Sequence, residues 1–141
     1  MSTALFSHIN WLAVIVASVA YFIIGGLWYS KILFGTRWAN LQKIDMADPG
    51  MKKGVAAIMF YSFLLMLLNV VGLAILVVRL DLTMISSGVK LGLVTGLFFC
   101  FTALGISFLY ERKPAALYFI SGGYQLLGNI IAAIILVVWR G

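Results

Sequence analysis

Four apolar runs, Trp11 to Tyr29, Gly54 to Val78, Leu91 to Tyr110 and Ala115 to Trp139, contain none of the 14 charged residues of this chain. Every charge falls in the gaps between them or, for Arg140, just after the last run. A run of about 20 apolar residues, rising about 1.5 Å per residue as a helix, crosses a hydrocarbon core about 30 Å thick. The runs therefore predict an all-α integral membrane four-helix bundle, with spans at about 10–30, 49–79, 84–110 and 114–139. At 64% hydrophobic and 10% charged residues, the chain lies far from the roughly 25% charged residues of soluble domains. The gaps are too short to hold a soluble domain of ordinary size, so the chain reads as a single transmembrane domain over residues 1–141.

The net charge of +6 does not point to nucleic acid, because the basic residues flank the spans, where they meet anionic headgroups and set topology. Cys100 is the only cysteine and lies inside the third run, so it has no partner for an internal disulfide. No Lys or Arg precedes the first run, and its apolar stretch continues past Ala20, so it reads as a retained helix rather than a secretion signal.

Asn10 is a good cap for the first helix, and Trp11 with Trp28 and Tyr29 places aromatics at both of its ends. In the connection 31–48, Phe34, Trp38 and Leu41 alternate with Arg37 and Lys43 at helical spacing, which predicts a short helix in the headgroup plane. Asp48 and Pro49 read as the cap and first turn of the second helix, with Lys52 and Lys53 on that turn, and Arg79 and Asp81 end it. Thr83 is the expected cap of the third helix. Glu111, Arg112, Lys113 and Pro114 are all that separate the third helix from the fourth, with Pro114 in the fourth helix's first turn, so these two should form a tight antiparallel hairpin.

Seven basic residues, Lys31, Arg37, Lys43, Lys52, Lys53, Arg112 and Lys113, lie on one side of the spans, against Arg79, Lys90 and Arg140 on the other. The richer side should be cytoplasmic. Both termini then face outward, across the inner membrane in a bacterial source.

Two helices carry distinct faces. On the third, Gly88, Gly92, Gly96, Cys100, Ala103, Ser107 and Glu111 recur at steps of three or four. Helices gain little hydrophobic energy from meeting each other in lipid, so small residues promote association by letting backbones approach closely. Such a face packs against a helix of the same chain or of a neighbouring subunit. On the fourth, Ser121, Gln125 and Asn129 recur every four residues, with Tyr118, Gly128 and Ala132 beside them. Unpaired amides near the bilayer centre cost several kcal/mol, so this stripe must face protein or water, and Asn69 of the second helix is the candidate to meet it. Asn69, Ser121, Gln125 and Asn129 form the candidate polar site.

Glu111 stands at the membrane edge beside Arg112 and Lys113, where a solvated or ion-paired carboxylate is expected. His8, the only histidine, precedes the first span. No nucleophile, base and orienting group fall where they would meet. The chain therefore reads as non-enzymatic, with no cofactor and no metal.

Asn10, Trp11, Leu12, Ala13 and Val14, leading to Gly26, Leu27, Trp28, Tyr29 and Ser30 and then to Leu33, Phe34, Gly35 and Trp38, resemble the opening of the bacterial membrane family known as domain of unknown function 1761. Tyr110, Glu111, Arg112, Lys113 and Pro114, with Gly123 and Tyr124, are similar to its closing segment. Members often have proline after the Trp, Tyr, Ser triplet, where this chain has Lys31. The resemblance implies a small four-helix membrane protein and draws attention to a candidate interfacial site of Trp28, Tyr29, Glu111 and Arg112. It implies no activity. Small multidrug transporters use a glutamate in the first helix, and this first helix has no acid. Fluoride channels insert in both orientations, against the charge bias here. The expected function is that of a non-enzymatic oligomeric or partner-binding membrane protein, whose partners are the lipid bilayer and a second copy or another membrane protein. The alternative is a small permease or channel, taking a small molecule or ion at a polar site between the second and fourth helices.

Overall fold

A computed structural model describes residues 6–30, 32–42 and 54–139, and within these there is no strand. The helices are α1 (Trp11–Trp28), α2 (Gly35–Gln42), α3 (Val55–Arg79), α4 (Ile85–Tyr110) and α5 (Ala115–Val138). All but α2 are long and apolar enough to cross a membrane. The roles expected of Lys31, Lys43, Asp48, Pro49, Lys52, Lys53 and Arg140 lie outside the described residues.

The helix ends follow local chemistry. Asn10 caps α1, its side chain accepting from the Ala13 amide at 3.3 Å. The same side chain donates to the Trp139 carbonyl at 3.0 Å, tying the start of α1 to the end of α5. Leu80 closes α3, and the chain turns at Asp81 with φ of 52°. Two expected ends move. Met84, not Thr83, holds the cap position of α4, because the helix starts from the Met84 carbonyl, which accepts from Ser87 and Gly88. Pro114 stands just before α5 rather than in its first turn: its ψ of 145° is extended, and its carbonyl opens the helix by accepting from Leu117 and Tyr118. Arg112 takes φ of 57° to reverse the chain between α4 and α5.

The central helix is α5, which packs against α1, α3 and α4, while the short α2 folds back onto it. In α1 the buried face is Ala13, Val14, Ala17, Ser18, Tyr21 and Gly25, one stripe at helical spacing. It meets Val70, Leu73, Ala74 and Val77 of α3 and Tyr124, Ala132, Ala133, Leu136 and Val137 of α5 in the core.

The hairpin of α4 and α5 is held by the glycines. A Cβ on Gly88 would lie 3.2 Å from Ile134 Cα, one on Gly92 would lie 2.7 Å from Ile130 N, and one on Gly96 would lie 2.9 Å from Leu126 Cα. These distances leave room for hydrogen and little else, so the backbones approach as closely as the small residues permit.

Beyond Cys100 the expected small face breaks. Residues Val94–Phe101 form a π-helix, whose i→i+5 bonding takes in an extra residue. Cys100 still meets α5 at Asn129, and Phe101, five positions on from Gly96, also turns to α5 with its ring over Gly122. Gly105 follows, where a Cβ would meet the Tyr118 hydroxyl at 2.9 Å. Ala103, Ser107 and Glu111, expected on the same stripe as the glycines, are rotated to the exposed surface.

Candidate functional site

Asn129 of α5 sits at the centre of the bundle with 0% exposure, and every atom of its carboxamide is used. Its Oδ1 accepts from Asn69 Nδ2 of α3 and from Thr95 Oγ1 of α4, both at 3.3 Å. Its Nδ2 donates to the Gln125 carbonyl at 2.7 Å and reaches the Tyr21 hydroxyl at 3.4 Å and Cys100 Sγ at 3.5 Å. One side chain thus joins all four long helices.

The other rungs of the α5 stripe face α1. Tyr21 donates its hydroxyl to Gln125 Oε1. Tyr29 donates to Ser121 Oγ at 3.3 Å. Tyr124, on the same helix as the stripe, turns its hydroxyl to the Tyr21 carbonyl at 3.1 Å. The rings of Tyr21 and Tyr124 meet edge to face at 5.3 Å, and Tyr124 and Tyr29 at 5.7 Å. Among the described residues, no buried side-chain nitrogen or oxygen lacks a hydrogen-bond partner. In a medium without water, such closure is what allows polar groups to remain at this depth.

Of the four residues expected to form a polar site, Asn69 and Asn129 are in direct contact, whereas Gln125 and Ser121 are engaged by Tyr21 and Tyr29 of α1. The sequence reading missed Tyr21, Thr95 and Tyr124. A signal was there for Tyr21, because its hydroxyl lies in an apolar run on the face of Ala17 and Gly25, four residues to either side. Thr95 gave less: threonine can bond its own helix, as Thr95 also does to the Leu91 carbonyl at 2.9 Å, so its presence in a span needs no second helix.

The candidate interfacial residues separate into two groups. Trp28 donates Nε1 to the Ile120 carbonyl at 2.8 Å and packs on Phe34, and Tyr29 packs on Trp38, so both anchor α1 and α2 to α5. Glu111 and Arg112 are exposed in the turn. Glu111 pairs with Lys113 at 3.2 Å rather than with Trp28 or Tyr29.

Between α3 and α4 lies a groove of about 440 Å³, open along one side. Its walls are Leu65, Leu68, Leu76 and Phe99, and its polar floor is Asn69, Thr95 and Cys100. The groove thus reaches three of the four side chains that hold Asn129 from other helices. The π-helical turn carries Thr95, Phe99 and Cys100. Among the described residues, no three of His, Cys, Asp and Glu gather where a metal could bind. The arrangement offers neutral hydrogen bonding in an apolar setting.

No curated protein and no solved structure matches the chain. A family model described as protein of unknown function (DUF1761) matches residues 12–137, from the second residue of α1 almost to the end of α5. The span of that match takes in the whole polar network and the groove, and the chain belongs to the DUF1761 family.

Proposed function

We propose that this protein is a non-enzymatic integral membrane protein that binds a lipophilic component of the bilayer in the groove between α3 and α4. The observation that carries this reading is the groove itself, an apolar trough with a small polar floor. Small-molecule sites commonly combine these features within about 300–1,000 Å³. The wall from Leu65 to Leu76 runs roughly 16 Å at the helical rise, about half the hydrocarbon thickness. That length suits a chain-like lipophile better than a partner helix, which needs a face along the whole span. The groove opens sideways, where such a molecule already resides.

The non-enzymatic part of the reading rests on the scarcity of paired acid, base and nucleophile in the sequence. Charge asymmetry supports placement in a bacterial inner membrane with both termini outside. The glycine face lends no support to a homo-oligomer, because α5 of the same chain fills it. The permease reading draws less support, since Ser121, Gln125 and Asn129 are each bonded within the chain.

Gly72 provides the test. It lines the groove, and a Cβ there meets nothing within 4 Å, so Gly72→Phe fills the trough without disturbing the core. Extraction into nanodiscs with native lipid, followed by lipid mass spectrometry, should find a lipophile enriched with the wild-type protein and lost from Gly72→Phe at unchanged thermal stability. Identical lipid complements would refute the proposal.

A further inference from the structure

The geometry points to a more specific ligand class, resting on the groove reading above: a neutral lipophile whose hydroxyl donates a hydrogen bond to Asn69 Oδ1. Asn69 Nδ2 is turned inward, to Asn129 Oδ1 at 3.3 Å. No donor among the described residues is bonded to Asn69 Oδ1. That oxygen is not a buried orphan, because no buried side-chain oxygen among the described residues is unpartnered. Asn69 lines the groove, so its carbonyl oxygen is an open acceptor there.

Beside it stands Cys100. Its sulfur already accepts from Asn129 Nδ2 at 3.5 Å, which leaves the thiol proton as a weak donor toward the groove. Asn69 and Cys100 are therefore held by the two ends of one carboxamide, with an acceptor and a weak donor side by side. A hydroxyl matches both: its proton goes to Asn69 and its oxygen accepts from Cys100. A ketone or an ether would leave the Asn69 oxygen unmet.

Depth excludes charged headgroups. Asn69 is the fifteenth residue of the 25 in α3, near the middle of the span. A charged group costs at least about 2.5–3.5 kcal/mol there, and no charged residue lines the groove to offset it. A phospholipid in the groove would keep its headgroup at the interface and offer Asn69 only acyl chain. The fitting ligand is a single-chain or isoprenoid alcohol whose hydroxyl can be drawn toward the bilayer centre.

The probes are farnesol and farnesyl methyl ether, alike in shape and differing in the donor. Binding of each to the full chain in phosphatidylcholine nanodiscs is read by native mass spectrometry. Farnesol should bind about fivefold more tightly than the ether, as one net hydrogen bond implies. Asn69→Leu should bring the two to equality, and Gly72→Phe, which leaves the polar network intact, should abolish both. Equal binding of alcohol and ether by the wild-type protein would overturn the hydroxyl assignment while leaving the groove reading in place. So would a preference that persists in Asn69→Leu. Absence of binding by either probe, with Gly72→Phe indistinguishable from wild type, would overturn both.

Discussion

The ring of Tyr21 lies in the space left by Gly128, where a Cβ would stand 2.6 Å from Tyr21 Cζ. The converse holds one turn away: Tyr124 lies against Gly25, where a Cβ would meet the Tyr124 hydroxyl oxygen at 2.8 Å. Each helix thus supplies a tyrosine and the glycine that receives the other's ring. The pair fixes the distance between α1 and α5 and so positions Tyr21 at Gln125 and Asn129.

Gly128→Ala should destabilise the protein by about 1–3 kcal/mol, because the added methyl meets the body of a buried ring that has nowhere to move. Gly25→Ala meets the Tyr124 hydroxyl oxygen most closely, at 2.8 Å, with Cζ at 3.0 Å, so Tyr124→Phe should recover part of its cost. Tyr21→Phe should not recover Gly128→Ala, since the clash is with ring carbons. Reversible unfolding in mixed micelles, with both double mutants, checks the asymmetry.

Asn129→Leu should cost about 2 kcal/mol or more. It removes the shared partner of Asn69 and Thr95 and the amide that reaches Tyr21, all at once, while a single interhelical hydrogen bond in a membrane averages about 0.6 kcal/mol. Asn69→Leu should cost less, since it removes one donor. A double-mutant cycle between the two, read by unfolding, should give a coupling energy clearly above zero.

Gly92→Ile should prevent α4 from docking on α5 within one chain. The loss should therefore be independent of protein concentration, as measured by unfolding at several protein-to-detergent ratios. A loss that grew on dilution would instead place this glycine between copies.

The π-helical turn makes an unusual prediction about chain length. Deleting Phe98, which is exposed, would let α4 run as a regular α-helix while keeping Gly96 and Phe101 in register against α5. This deletion should fold with little loss of stability but alter the groove, moving Cys100 relative to Asn129. Deleting Val89, in the regular part of α4, should rotate Gly88 off α5 and destabilise strongly. Thermal unfolding separates the two, and the rate of Cys100 labelling by a membrane-permeant maleimide reports the groove.

Glu111→Gln should change stability by less than about 0.5 kcal/mol. Its pair with Lys113 is exposed, where two long side chains lose as much in freedom as they gain in attraction. Chemical unfolding at low and high salt checks this.

Charge-free run lengths alone determined that this chain is all-α with four helices able to cross a membrane, because bilayer thickness and the need to satisfy every backbone amide leave few other solutions. Spacing also determined that Ser121, Gln125 and Asn129 share a face and that Gly88, Gly92 and Gly96 can meet a helix closely. Tertiary structure decided the rest. Which helix fills the glycine face depends on the order of packing around α5, and periodicity is blind to that order. The stripe's break after Cys100 came from a π-helical turn, and counting by fours assumes the regular bonding that this turn abandons. The partners of the α5 amides were Tyr21, Asn69, Thr95 and Cys100, drawn from three other helices by the angles at which those helices cross. The groove is the space left between α3 and α4, and a gap between elements has no residues of its own to read.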